Sequence, residues 1–143
     1  MKIQQLSIFV ENKGGRLAEI TQVLADENIN IRAMTVADTS DFGILRLIVD
    51  NPEKAVEGFK NKGMTYSLTS VIGIGIEDTS GAFARAVAIL SNAGISIEYL
   101  YDYINKLGGK ACIILRVDNE EKAIEVLSAN NIALLTAADV YVN

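Results

Sequence analysis

The sequence predicts an α+β fold made twice over: two β-α-β-β-α-β units, residues 1–70 and 71–143, each an antiparallel sheet covered by helices. Two observations carry this. First, the chain nearly repeats itself. Leu6-Ser7-Ile8-Phe9-Val10-Glu11 lies above Ile72-Gly73-Ile74-Gly75-Ile76-Glu77, and at the same offset Gly15 falls on Gly81, Leu17 on Phe83, Leu24 on Leu90, Ile29 on Ile95 and Ile31 on Ile97. Past a two-residue insertion, Val49-Asp50-Asn51 matches Val117-Asp118-Asn119 and Glu53-Lys54-Ala55 matches Glu121-Lys122-Ala123. A repeat this long is a whole folding unit. Second, the apolar period switches along each copy between two and 3.6 residues, the signature of alternating strands and helices.

The elements follow in order. Leu6, Ile8 and Val10 alternate with Ser7, Phe9 and Glu11 and predict a strand. A glycine loop, Asn12 to Gly15, leads into a helix over Arg16–Glu27 with Leu17, Ile20 and Leu24 at helical spacing. It stops at Asn28, whose counterpart is Gly94; both residue types tolerate the left-handed conformation that closes helices. Ile29–Val36 and Ile44–Val49 are rich in β-branched residues and predict strands, with a turn at Thr39-Ser40-Asp41. Pro52 opens the second helix, where its missing N–H costs nothing, and Ala55, Val56 and Phe59 form its apolar stripe until Lys62-Gly63. Met64–Leu68 is the last strand. This order predicts the ferredoxin-like arrangement. Thr69-Ser70-Val71 is the one candidate linker, and the tail Asp139–Val142 is expected as an extra C-terminal strand on a sheet edge.

Composition narrows the function. The chain has 143 residues, 50% of them hydrophobic, and a formal net charge of -5. Residues 1–70 carry 8 basic and 9 acidic groups, residues 71–143 carry 5 and 9. Neither half offers the cationic field that nucleic acid or an anionic membrane needs. A single cysteine, Cys112, excludes an internal disulfide, and the absence of histidine removes the commonest general base and metal ligand. No signal-like segment or membrane-length apolar run occurs, so a cytoplasmic protein without cofactor or metal is expected.

The first loop of each copy is where chemistry fits best. Glu11-Asn12-Lys13-Gly14-Gly15-Arg16-Leu17 and Glu77-Asp78-Thr79-Ser80-Gly81-Ala82-Phe83 each run from a strand end into a helix start. Such a start presents unpaired N–H groups and a partial positive charge, suited to a small carboxylate, while Glu11 or Asp78 could face an ammonium group. The alternative is that Gly15 and Gly81 only make tight turns, with Asp78, Thr79 or Ser80 capping the helix. Elsewhere, Gly73-Ile74-Gly75 lacks the third glycine of a dinucleotide fingerprint and reads as strand glycines in close packing. Leu107-Gly108-Gly109-Lys110 reads as a hairpin turn, and Tyr99, Tyr101 and Tyr103 as one strand face, an interface or a ligand lining. Cys112 reads as a small buried hydrophobe, and Arg46 and Arg116 as solvated.

Strand, acidic residue, Gly-Arg-Leu and amphipathic helix, then Glu27-Asn28-Ile29-Asn30-Ile31 entering a strand, resemble the ACT domain family, twice along the chain. Ile31–Thr39 is similar to the ACT half of acetolactate synthase regulatory subunits, and Asn28–Ile31 to aspartokinase regulatory domains. The resemblance implies a regulatory protein, not an enzyme, that binds a free amino acid at an interface between paired ACT domains, with a homodimer expected. It assigns the ligand to Glu11, Asn12, Gly14, Gly15, Arg16, Leu17, Asn28, Asn30 and Ile31 in the first copy. In the second it assigns Asp78, Thr79, Ser80, Gly81 and Ser96. Where many members carry proline before the loop glycine, this sequence has Gly14 and Ser80. The alternative function is a subunit acting by contact on a biosynthetic enzyme such as acetolactate synthase.

Overall fold

The structure, a computed structural model, describes residues 2–11, 14–38, 42–104 and 108–141. The elements are β1 (Lys2–Glu11), α1 (Arg16–Asp26), β2 (Ile31–Asp38), β3 (Phe42–Val49), α2 (Pro52–Asn61), β4 (Tyr66–Ile76), α3 (Ala82–Asn92), β5 (Ile97–Asp102), β6 (Ala111–Val117), α4 (Glu120–Ala129), β7 (Ala133–Leu134) and α5 (Ala137–Val140). The chain divides into two compact units. The first holds Gln4–Thr69 with Val140–Asn143, the second Met1–Ile3 with Ser70–Asp139.

In the first unit the strand order is β2-β3-β1-β4. The central pair registers Leu6 on Leu47 and Ile8 on Leu45, antiparallel. Leu6, Ile8, Leu45, Leu47 and Val49 therefore point to one face, where they meet Ile20, Val23 and Leu24 of α1 and Ala55 and Phe59 of α2. Leu17, at the right spacing for that stripe, is instead 44% exposed. The second unit repeats the order as β5-β6-β4-β7, with Ile72, Ile74, Leu115 and Val117 packed against Ala86 and Leu90 of α3 and Ala123 and Leu127 of α4. Both are the ferredoxin-like arrangement expected from the element order.

The repeated Val-Asp-Asn segments have a structural reason. Asn51 and Asn119 cap α2 and α4, accepting from the N–H groups of Lys54 at 3.2 Å and Lys122 at 3.1 Å. The preceding Asp50 and Asp118 accept from the N–H groups of Asn30 and Ser96, each at 3.0 Å. Pro52 sits at the start of α2 as expected. Asn28 (φ 56°) and Gly94 (φ 76°) close α1 and α3 in the left-handed region.

The two units divide between Thr69 and Ser70, inside the expected linker, whose residues run as part of the strand β4. Two other expectations are corrected. The tail is no strand at 139–140: Asp139 accepts from both the N–H (2.7 Å) and the hydroxyl (2.9 Å) of Thr136, a capping arrangement that starts the one-turn α5. Val142 lies outside the described residues, as does the turn at Thr39-Ser40-Asp41. Arg116 is not merely solvated. Its guanidinium donates to the Ser70 carbonyl at 2.7 Å and pairs with Glu98 at 3.3 Å and Glu120 at 3.2 Å.

Two residues of the tyrosine face are buried. Tyr101 and Tyr103 are 6% and 7% exposed, and Tyr101 registers with the fully buried Ile114, on the sheet face away from the helices. Gly73 is close-packed as expected, but against the Leu135 side chain, not backbone. Gly108 and Gly109 take φ of 57° and 79°, both in the left-handed region a two-residue hairpin favours; Leu107 lies outside the described residues. Cys112 is buried.

Candidate functional site

The two helix starts are built alike. Gly15 (φ 87°, ψ -5°) and Gly81 (φ 85°, ψ -8°) occupy the N-cap positions of α1 and α3. An L side chain there would be strained, which is why glycine recurs at both. The carbonyls of these glycines accept the first helical bonds, from Glu19 N–H at 3.0 Å and Arg85 N–H at 2.9 Å. Glycine brings no side chain of its own to cap either helix start. Ala82 N–H donates to the Thr79 carbonyl at 3.3 Å. A Cβ at Gly14, Gly15 or Gly81 would meet nothing within 4 Å, so the loop backbone faces open space.

Around Gly81 this opens into a cleft of about 380 Å³ lined by Glu77, Thr79, Ser80, Arg85, Lys110 and Asn131, among others. Lys110 Nζ lies 3.7 Å from Glu77 Oε1, both ends substantially exposed. Arg85 donates to the Asn130 carbonyl at 3.0 Å, a neutral acceptor that leaves its charge uncancelled. Helix start, Arg85 and Lys110 on one wall with Glu77 beside them can meet a carboxylate and an ammonium group together.

The first loop differs. Arg16 Nη1 pairs with Glu19 Oε2 at 2.9 Å, while its Nε is buried without a partner among the described residues. Glu11 is exposed at the end of β1 and Leu17 at the start of α1. Asn12 lies outside the described residues.

The expected residues do not form one pocket within a unit. In a β-α-β connection the helix start and the next strand's start lie at opposite ends, and the eleven residues of α1 put roughly 16 Å between Gly15 and Asn28. Asn28 and Asn30 line a separate cleft of about 620 Å³ with Asp50, Asn51 and Lys54. Ile31 is half-buried against the core. Ser96, at the far end of α3 from Gly81, has its N–H on Asp118. Arg85 and Lys110 were not anticipated. Arg85 could have been: it sits four residues after the N-cap, one turn into the helix beside the loop.

Among the described residues no group of three or more His, Cys, Asp or Glu side chains could hold a metal, and no helix is long and apolar enough to cross a membrane.

The crystal structure of a Bacteroides thetaiotaomicron protein is 44% identical, with a TM-score of 0.92 over 98% of this chain and 96% of that one. The regulatory subunit of aspartate kinase from Thermus thermophilus, in its ligand-free form, shares the fold at 16% identity, TM-score 0.63, over 88% and 90% of the chains. That of Thermus flavus does so at 17% identity, TM-score 0.59, over 90% and 89%. A search of curated proteins found no match. The family model described as an ACT domain pair matches residues 1–142, and the chain belongs to that family, whose fold is a regulatory one.

Proposed function

We propose that this chain is a regulatory protein, not an enzyme, that binds a free amino acid where ACT domains meet, the ligand's carboxylate lying at the glycine start of a first helix. The observation that carries this is the cleft at Gly81, where the helix start, Arg85 and Lys110 stand beside Glu77. Two cations, a helix start and a carboxylate suit a zwitterion. Asp78, Thr79, Ser80 and Gly81 supply the loop, and Glu11, Gly14, Gly15, Arg16 and Leu17 the corresponding loop of the first copy. Asn28, Asn30, Ile31 and Ser96, at the other helix ends, reach such a ligand only from another ACT domain, which a second copy of the chain in a homodimer would supply. Calorimetry against the twenty amino acids tests the reading. At least one should bind, and Arg85→Ala should weaken it at least tenfold; no heat with any of them refutes it.

A subunit that acts by docking on a biosynthetic enzyme is the second reading. Leu17, Met34 and Val36 in the first unit, and Phe83 and Leu100 in the second, are apolar and substantially exposed. Leu17 and Phe83 are repeat counterparts, as are Met34 and Leu100. Recovery of one catalytic chain from cell extract, with no amino-acid heat, would favour it.

A further inference from the structure

The cleft at Gly81 carries more positive than negative charge. Among the described residues its lining holds two cations, Arg85 and Lys110, and one anion, Glu77. Asp78, the other acid of the loop, is not on the lining. The start of α3 adds a partial positive charge. All of these groups belong to the second unit, and they converge from separate elements. Glu77 follows the end of β4, Arg85 lies one turn into α3, and Lys110 stands just before β6. Strand pairing brings Lys110 there, since Ile76 registers with Ala111. Its stem then runs beside Gly75, where a Cβ would lie 3.6 Å from Lys110 Cδ.

Lys110 Nζ and Glu77 Oε1, 3.7 Å apart, offset each other, and Arg85 donates to a neutral carbonyl. The lining therefore keeps one positive charge. A neutral zwitterion does not remove it, because its carboxylate and ammonium add to zero. With the ligand's ammonium on Glu77, Lys110 loses its anion. A second carboxylate on the ligand takes that place and brings the sum to zero. Charge-assisted hydrogen bonds are the strong ones, and a site that leaves a cation unmet discriminates against the ligand lacking the anion. On the reading that an amino acid binds beside Gly81, we propose that it is an acidic one, aspartate or glutamate. Its α-carboxylate lies at the start of α3 beside Arg85, its ammonium on Glu77 and its side-chain carboxylate on Lys110. The first copy has neither cation: Glu19 and Phe42 stand at the positions of Arg85 and Lys110. Changes at Lys110 therefore report on the second loop.

Calorimetry on the full chain, with near-isosteric ligands that differ in one charge, tests this. L-Glutamate should bind tighter than L-glutamine, or L-aspartate tighter than L-asparagine, by about tenfold or more. Glutarate and succinate lack the ammonium group and should bind about tenfold or more below the preferred acid. Lys110→Met keeps an unbranched stem and removes the charge. It should cut the acid-to-amide ratio to about twofold or less, while affinity for the amide changes little. Lys110→Arg keeps the charge and should keep the preference. Equal affinity for acid and amide overturns the proposal, and so does an acid preference that survives Lys110→Met. A neutral or basic amino acid that binds best and weakens in Arg85→Ala overturns the acidic class alone and leaves the amino-acid reading standing. Dicarboxylates that bind as well as the amino acids make the cleft an anion site and overturn both. No heat with any amino acid refutes the amino-acid reading and the proposal with it.

Discussion

Gly73→Ala puts a methyl where the second unit has no room. A Cβ on Gly73 would lie 2.3 Å from Leu135 Cδ1 and 2.9 Å from both its Cγ and its Cβ. Rotating the side chain can move Cδ1, but Cβ is one bond from the backbone. Leu135 is also held there: it is 1% exposed, and its N–H donates to the Gly73 carbonyl at 2.8 Å. Relieving the clash therefore stretches that bond or opens the packing. Overpacking of this kind costs ~1–3 kcal/mol. Replacing glycine by alanine in a strand returns ~0.5–1 kcal/mol through the unfolded chain. The net loss centres on about 1 kcal/mol, or roughly 3 °C in Tm for a chain of this size. In a urea titration the midpoint should fall with the slope unchanged.

A double-mutant cycle separates the clash from any other effect. Leu135→Ala alone should cost about 2–4 kcal/mol, as deletion of a buried leucine does. In that background the new methyl enters vacated space, so adding Gly73→Ala should be neutral or stabilising, a coupling of at least ~1 kcal/mol. Gly73→Ala as stable as wild type, or costs that simply add, would refute the reasoning that glycine is required by Leu135.

Other outcomes follow from the same geometry. Asn51→Ala and Asn119→Ala each remove one cap bond and should each cost ~1 kcal/mol in thermal unfolding, the two losses nearly equal because the bonds match to 0.1 Å. Gly81→Ala should cost ~1–2 kcal/mol from backbone strain alone, since its φ is 85° and nothing crowds the site. Gly14→Ala, in equally open space without a positive φ, should stay within ~0.5 kcal/mol of wild type.

Most of the fold was legible because local signals agreed with it. Asn28 and Gly94 marked helix ends by a conformation few residues tolerate, and the alternation of Leu6, Ile8 and Val10 set which face meets the helices. The tail misled because Val140 and Val142 alternate like a strand, while the stronger local signal, Thr136 with Asp139 three residues on, starts a helical turn. Thr69–Val71 reads as polar and short, yet its backbone continues a strand whose partners lie elsewhere in the chain. The loops were legible as helix starts. Their neighbours were not, since Lys110 reaches the Gly81 cleft from β-hairpin residues 29 positions away, and no periodicity encodes such an approach.

The two copies solve one backbone problem identically and one electrostatic problem differently. Glycine φ at the helix starts, the asparagine caps, the aspartate bonds to Asn30 and Ser96, and the strand irregularities at 31/33 and 97/99 all recur. The side chains around the loops do not: Arg16 and Glu19 stand where the second copy has Ala82 and Arg85, and Phe42 where it has Lys110. In the first copy, Arg16 and Glu19 at 2.9 Å largely cancel each other. In the second, Arg85 is bonded to a neutral carbonyl and adds to the helix field. Arg85 is thus a cation near Gly81 with no counterpart near Gly15, whereas Lys110 and Glu77 at 3.7 Å offset each other as Arg16 and Glu19 do. A ligand recognised by its carboxylate should fill the second loop first, and the first loop, flanked by the exposed rings of Phe9 and Phe42 at 5.2 Å centroid distance, is the better place for an apolar contact.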